Sequence, residues 1–316
     1  MTTQSNPRDG APAGVQAILD AMRATNAVRV LEPEAMRATR EAMIAQLNLD
    51  PPHVAVEREI TIPGPAGDIP AKLIVPRDHD TPLPVVVYLH GGGFVVMSPA
   101  SHAKLTKRIA LGADAIVISI DYRLSPETPY PGALDDCVAA FRWARRHAAE
   151  LGGDPKRIAI GGDSAGGNLA AATTLRLLAE RDAPPEAVLL LCAWLDLAME
   201  TPSCLALGPD DPVIDDAVME FFRRSYAPDA AIWREPLVSP LRADLSVFPP
   251  TCVVVGELDP LYDDGVRFAE KLRAAGRDVA LQSHAWMPHD FPIWPGIDAD
   301  GAIEAMCAFL RQRLAA

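Results

Sequence analysis

The 316-residue chain carries 29 Lys and Arg against 42 Asp and Glu, which gives a formal net charge of -13, and 49% of its residues are hydrophobic. This balance is typical of a packed globular protein, and a chain of this length can bury a full core in one large domain. The acidic surface excludes a nucleic-acid backbone as a general partner and is compatible with a small uncharged substrate.

Cysteine usage and the N-terminus bear on the compartment. The five cysteines are scattered and never form a C-x-x-C pair, so we expect no disulfide framework, no metal site and reduced thiols. Residues 1–16 lack a basic segment followed by an apolar run, and no apolar stretch approaches the ~20 residues of a membrane-spanning helix. The sequence therefore predicts a cytoplasmic protein without a membrane span.

Two helical patterns come first, and the better one follows Pro33, with apolar residues at helical spacing up to Leu47. Residues 51–76 then alternate between apolar and polar side chains around the turn-like segment PGPAGD. This alternation predicts a β-hairpin.

Short apolar runs follow, each typical of a buried strand. They span residues 84–90, 115–121, 157–162, 187–192 and 251–257, and a last strand covers 278–284. Helical segments lie between them, and a C-terminal helix starts at about Gly301. Runs that are apolar on both faces predict a mostly parallel α/β sheet with helices on each side.

The interval between the fourth and fifth runs is too long for a simple crossover and contains a helical stretch. We predict an insertion over residues 203–240, with a catalytic domain formed by 51–202 and 241–316. Together with N-terminal helices within 1–50, the insertion would form a cap over the carboxyl edge of the sheet, where α/β proteins bind ligands.

The sharpest motif is GGDSAGG, from Gly161 to Gly167, directly after a predicted strand and before a helical run. A G-x-S-x-G sequence in this context is typical of a nucleophile elbow, in which Ser164 would occupy a strained turn. A β-carbon at Gly162 or Gly166 would crowd that turn. Taken alone, the motif also fits a phosphate-binding turn, although it lacks the G-x-G-x-x-G spacing and a Walker lysine.

A second motif, HGGGF at residues 90–94, follows the first buried run. Its glycines would let main-chain amides face a ligand closely, as one half of an oxyanion hole. The amide of Ala165, at the start of the helix after Ser164, would supply the other half. By itself, the triple glycine fits a flexible loop equally well.

In this order the motifs resemble those of hormone-sensitive-lipase-like (family IV) bacterial esterases, the GDSAG subgroup of the α/β-hydrolase superfamily. The resemblance covers about residues 54–310. It rests on HGGGF (90–94), DYRLSPETPYPGALDD (121–136), GDSAGGNLA (162–170), WLDL (194–197) and the segment from SPLRADL to YDDG (239–265). It implies the α/β-hydrolase fold: an eight-stranded, mostly parallel sheet with helices on both faces and a helical cap.

The resemblance also implies a set of site residues, with Ser164 as nucleophile, Asp259 as triad acid and His289 as general base. The order Ser, Asp, His along the chain is that of α/β-hydrolases. The implied oxyanion donors are Gly91, Gly92 and Ala165. The residues expected to support them are His90, Gly93 and Asp163. No metal or organic cofactor is required.

Alternatives exist for the acid and the base. Glu257 is the main rival of Asp259, because Asp263 or Asp264 would more readily cap the following helix. His284, at the end of a predicted strand, is the rival of His289. His90 would brace the glycine loop rather than titrate. The histidines expected to be merely solvated are His53, His79 and His147.

The resembled family usually has H-G-F where this chain has His289, Asp290 and Phe291. An adjacent carboxylate tends to raise the pKa of a histidine. We therefore expect Asp290 to move the active form of His289 to higher pH.

The predicted reaction is hydrolysis of short- to medium-chain acyl esters through an acyl-serine intermediate. A triad does not determine the leaving group, so an amide, carbamate or lactone is the alternative target. A non-catalytic binding protein is disfavoured, since the plant gibberellin receptors that resemble this family have lost the histidine kept here. The resemblance also suggests a homodimer through the last strand, 278–284, since an exposed edge invites pairing.

Overall fold

The structure is a computed structural model of the chain and describes residues 7–26 and 30–315. Residues 1–6, which begin both the segment inspected for a secretory signal and the predicted N-terminal cap, lie outside the described residues. Within the described ranges, no helix is both long and apolar enough to cross a membrane.

One eight-stranded sheet runs through the described part of the chain. Its strands are β1 (Val56–Gly64), β2 (Gly67–Val75), β3 (Leu83–Leu89), β4 (Ile116–Ile120), β5 (Gly153–Asp163), β6 (Ala187–Leu191), β7 (Thr251–Gly256) and β8 (Val279–His284). The spatial order is β1-β2-β4-β3-β5-β6-β7-β8. β1 and β2 form the predicted hairpin, β2 also pairs antiparallel with β4, and the other pairings are parallel. The predicted α/β-hydrolase sheet is thus confirmed.

α-Helices flank both faces of this sheet. They are α1 (Ala13–Asn26), α2 (Pro33–Leu47), α3 (Ala103–Ala113), α4 (Gly132–His147), α5 (Ser164–Ala179), α6 (Pro202–Leu207), α7 (Asp216–Tyr226), α8 (Tyr262–Ala274) and α9 (Asp300–Arg313). Helices α4, α5 and α8 pack on one face, and α3 and α9 pack on the other.

Strand β3 illustrates why the apolar runs become central strands. Val85, Val87 and Leu89 join the core beneath α4, α5 and α8, whereas Val86 and Tyr88 join the core beneath α3 and α9. All five side chains are buried. Because helices cover both faces, the strand has no polar side, and the sequence is apolar throughout rather than alternating.

The parallel strands bring three chemically important loops to one edge of the sheet. β3 ends at Leu89, directly before the glycine loop, β5 ends at Asp163, directly before Ser164, and β7 ends at Gly256, three residues before Asp259. The carboxyl ends of parallel strands share an edge, which is where α/β proteins bind ligands.

The two acids at the start of α8 have a different role from the predicted one. The prediction that Asp263 or Asp264 caps this helix was wrong, because α8 already begins at Tyr262 and both acids lie in its first turn. Asp264 instead accepts backbone N–H bonds from Leu195 and Asp196, at 2.9 and 2.8 Å. It thereby fastens the chain that follows β6 to α8.

Candidate active site

Ser164 stands at the sharp junction of β5 and α5, with φ at +50°, a left-handed conformation that is strained for a residue with a β-carbon. The glycines around it are required by space. A β-carbon on Gly162 would lie 2.4 Å, and one on Gly166 2.0 Å, from the carbonyl oxygen of Leu89. The predicted crowding is confirmed, and the turn projects the serine hydroxyl from the edge of the sheet.

A chain of hydrogen bonds links the hydroxyl to a buried carboxylate. His289 Nε2 lies 2.9 Å from Ser164 Oγ, and His289 Nδ1 lies 2.9 Å from Asp259 Oδ2. The Leu261 amide donates to the other oxygen of Asp259 at 2.8 Å, and the Trp294 indole donates to the His289 carbonyl at 2.8 Å. The acid and the base are therefore both held in place by their surroundings.

The rival acid and base lie elsewhere. Glu257 is exposed and accepts a hydrogen bond from Ser283 Oγ at 3.1 Å. His284 is half-buried at the end of β8, with its ring centre 5.2 Å from that of Phe291. The structure thus brings Asp259 and His289, rather than these two residues, into line with Ser164.

Asp290 contacts the same ring nitrogen that faces the serine. Its Oδ2 lies 3.1 Å from His289 Nε2. Burial works against a charged imidazole, but the carboxylates of Asp259 and Asp290 outweigh it and hold the pKa of His289 well above its ordinary value. Burial raises the pKa of Asp290 to about 6, although His289 pulls it the other way. The predicted effect of Asp290 on the histidine therefore has a structural basis.

The glycine loop departs from the prediction at one position. Gly91 was expected to donate to an oxyanion, but its N–H donates to Asp163 Oδ2 at 3.0 Å, so this prediction was wrong. Gly92 and Gly93 line the cavity beside Ser164. The expectation failed because a tertiary contact, invisible in the motif, decides which amide is already in use.

Asp163 is the centre of a buried network that anchors this loop. Besides the Gly91 amide, it accepts hydrogen bonds from Tyr88 Oη at 2.7 Å and His102 Nε2 at 2.9 Å. Burial opposes charge on both partners, yet their mutual attraction raises the pKa of His102 and lowers that of Asp163. Sequence reasoning gave His102 no role, since it lies 61 positions from Asp163 in no recognisable motif.

His90 occupies the position predicted for it. Its Nδ1 lies 2.7 Å from the Gly91 carbonyl oxygen, and its ring stacks on Tyr122 with centres 4.3 Å apart. Burial lowers the pKa of His90 to about 3, so the ring braces the loop as a neutral group.

The three histidines expected to be merely solvated differ in their surroundings. His53 is exposed, whereas His79 and His147 are half-buried. His147 pairs with Glu150 at 3.0 Å and stacks on Trp143, so for this residue a purely solvated role was wrong.

The cavity over Ser164 is enclosed by elements far apart in the sequence. Arg40 comes from α2, Val213 and Phe222 come from the predicted insertion, and Trp294 comes from the loop after His289. A second groove, lined by α1 and α2, shares Arg40, Val213 and Trp294 with this cavity. The two spaces are therefore adjacent.

One group of potential metal ligands occurs within the described residues. A ligand atom from each of Cys192, His289 and Asp290 lies within 4.8 Å of the others. Both ring nitrogens of His289 are already engaged, one with Asp259 and one with Ser164. We therefore assign this cluster to the hydrogen-bonded chain rather than to a metal.

Comparison with known proteins places this geometry in a family. The family described as having the α/β-hydrolase fold matches residues 86–293. Carboxylesterase NlhH of Mycobacterium tuberculosis is 37% identical over 259 residues, which cover 79% of this chain and 80% of the relative. Esterase LipI of the same species is 35% identical over 243 residues, or 76% of each chain.

Solved structures agree with these relatives. A hyperthermophilic esterase from the archaeon Pyrobaculum calidifontis superimposes with a TM-score of 0.89 at 30% identity, covering 97% of this chain and 99% of that one. EstE1, a thermostable carboxylesterase from a metagenomic library, gives 0.86 at 33% identity, covering 90% and 98%. The chain belongs to the α/β-hydrolase fold family, among its hormone-sensitive-lipase-like esterases. It is a serine-type ester hydrolase, as the motifs predicted.

Proposed function

We propose that the chain hydrolyses carboxylic esters with Ser164 as nucleophile, His289 as general base and Asp259 as the acid that orients the imidazole. The observation that carries this assignment is the unbroken line of two 2.9 Å contacts from Ser164 Oγ through His289 to Asp259. A nucleophile within hydrogen-bond reach of a base, itself oriented by a third group, is the arrangement that activates serine.

In the proposed reaction, His289 takes the serine proton as Oγ attacks the ester carbonyl carbon. The amides of Gly92, Gly93 and Ala165 stabilise the oxyanion that results. Each such donor is worth about 3 to 4 kcal/mol of transition-state stabilisation. Collapse expels the alcohol with the proton from Nε2, and His289 then activates the water that hydrolyses the acyl-serine. These steps need only the residues named.

The N-terminal segment 1–50 and the insertion 203–240 are proposed to form a cap that selects the substrate. Support comes from the cavity walls, to which these segments contribute Arg40, Val213 and Phe222. Closing a site under such a cap excludes water and strengthens the electrostatic interactions within it.

Short to medium acyl chains are the proposed substrate range. The catalytic cavity is bounded by large side chains, Trp194, Phe222 and Trp294 among them. The adjoining groove between α1 and α2 is lined mainly by apolar residues such as Ile18, Met22, Met43 and Leu47. An acyl chain of moderate length could extend from the first space into the second.

An acyl-chain series of 4-nitrophenyl esters, from acetate to palmitate, tests this function on the parent enzyme and on Ser164→Ala. We expect kcat/KM to be highest between acetate and octanoate and to fall for longer chains. Ser164→Ala should lose activity on every ester while keeping the parent's circular dichroism spectrum. Full activity in the variant would refute the assignment, and a palmitate optimum would refute the chain-length range.

Two finer statements remain part of the proposal. We place the enzyme in the cytoplasm, which its five unpaired, buried cysteines favour. A homodimer through β8 is supported by the position of this strand at the edge of the sheet, where its backbone can pair with a second copy. Light scattering on the purified protein measures the oligomeric state, and a proline at Leu281 should yield a monomer if β8 is the interface.

A further inference from the structure

Asp290 carries a polar atom that the triad does not use. Its side chain is buried, with 5% exposed, and lines the cavity together with Ser164. While Oδ2 contacts His289, Oδ1 has no hydrogen-bond partner among residues 7–26 and 30–315. Leaving a buried acceptor unpaired costs free energy, so this oxygen is suited to receive a donor from a ligand.

The contact with His289 fixes where that ligand atom would lie. The leaving atom of the substrate must come within about 3 Å of Nε2 to receive its proton. Asp290 Oδ2 lies 3.1 Å from the same nitrogen. The leaving atom and this carboxylate are therefore at most about 6 Å apart, so Asp290 lies on the leaving-group side of the site.

The two classes of acyl compound differ at this point. The leaving oxygen of an ester has no hydrogen, whereas the nitrogen of a secondary amide carries an N–H that needs an acceptor when the site closes over it. Leaving that N–H unpaired would cost about 1 to 3 kcal/mol. The other carboxylate in the cavity, Asp163, is already occupied by Tyr88, Gly91 and His102.

We propose that this site hydrolyses secondary amides as well as esters, with Asp290 accepting the scissile N–H through its open carboxylate oxygen. The inference rests on the proposed roles of Ser164 and His289. Oγ forms a bond to the carbonyl carbon as its proton passes to Nε2. The C–N bond then breaks, the nitrogen takes that proton, and the amine leaves. Water next attacks the acyl-serine, gives one proton to His289, and releases the acid as the serine recovers its hydrogen. Asp290 binds and orients without net change.

The backbone at Asp290 makes the key variant feasible. Its φ is +51°, in the left-handed region that glycine adopts freely. Asp290→Gly should therefore fold, and it removes the acceptor. Asp290→Asn removes the charge but keeps a side-chain oxygen that can accept the N–H.

The test compares 4-nitrophenyl butyrate with N-(4-nitrophenyl)butanamide, which share acyl group and chromophore and differ only in O against N–H. For each variant, kcat/KM for both substrates is measured on the pH plateau, so that a shift in histidine titration does not enter the ratio. We expect serine-dependent amide hydrolysis in the parent, and an amide-to-ester ratio at least tenfold lower in Asp290→Gly. Asp290→Asn should keep the ratio within about threefold of the parent.

Three results would overturn the inference: no amide hydrolysis above the Ser164→Ala background, an unchanged ratio in Asp290→Gly, or a ratio in Asp290→Asn as low as in Asp290→Gly. Each of these can occur with serine-dependent ester hydrolysis intact, and then only this inference fails. Ester hydrolysis that persists in Ser164→Ala would instead remove the underlying function.

Discussion

Asp290 Oδ2 and Ser164 Oγ both contact the same nitrogen of His289, at 3.1 and 2.9 Å. A carboxylate at this position stabilises the protonated imidazole, which cannot take the serine proton. The basicity of His289 and its availability as a base are therefore set by a residue that lies next to it in the sequence.

The first prediction concerns pH. His289 must lose its Nε2 proton to act as base, and two carboxylates hold its pKa above the ordinary value of 6.5, so activity should rise only above that pH. Asp290→Asn removes one carboxylate and should move the acidic limb of the kcat/KM profile down by about 1 to 2 pH units. A profile measured between pH 5 and 10 checks this. Asp68→Asn, on an exposed turn, is the matched control, and a limb that stays in place in both variants would exclude the electrostatic effect.

The second prediction concerns the glycine loop. His102 holds Asp163, which holds the Gly91 amide and with it the two glycines beside Ser164. His102→Ala should lower kcat roughly 10- to 100-fold, since a displaced oxyanion donor costs up to that much or more. KM should change little. Affinity for a trifluoromethyl ketone, which mimics the tetrahedral intermediate, should fall in parallel with kcat.

His102→Gln provides the control for that experiment, because its amide N–H can still reach Asp163. It should retain more activity than the alanine variant. A rise in KM with unchanged kcat would mean that His102 serves substrate binding and not the oxyanion loop.

The third prediction concerns the connection between the N-terminus and the insertion. Arg8 is buried and donates to Asp211 Oδ2 at 2.6 Å and to the Leu258 carbonyl at 3.3 Å, next to the triad acid. Breaking a buried ion pair from one side leaves an uncompensated charge, so Arg8→Met should lower the free energy of unfolding by about 3 kcal/mol. Urea denaturation measures this.

The double variant Arg8→Met, Asp211→Asn tests the cause. Asparagine removes the stranded charge and keeps an oxygen for the Val213 and Ile214 amides, which donate to Asp211 Oδ1. It should recover part of the lost stability. If the two losses simply add, the pair is not coupled and the explanation is wrong.

Much of the fold could be predicted because local signals and tertiary demands coincide. The apolar run that became β3 is buried on both faces, and Gly162 and Gly166 are glycines because a carbonyl lies where a β-carbon would be. The serine, acid and histidine also lie in motifs whose order along the chain is distinctive.

The errors arose where contacts between distant segments decide the outcome. The sequence of the triple glycine does not reveal that Gly91 is committed to Asp163, and His102 has no neighbouring residues that mark it. Helix α8 begins earlier than its apolar pattern suggested, which moved Asp264 from a cap to a tertiary contact with Leu195 and Asp196. Such choices depend on which donor meets which acceptor after folding.

Covalent trapping tests the nucleophile most directly. The enzyme is treated with a fluorophosphonate, digested, and the modified peptide is sequenced by mass spectrometry. The account predicts one phosphonate per chain on Ser164, loss of ester hydrolysis in proportion to labelling, and no labelling of His289→Ala at the parent's rate. Stoichiometric labelling of a different residue, or full activity in the Ser164-modified enzyme, would contradict it.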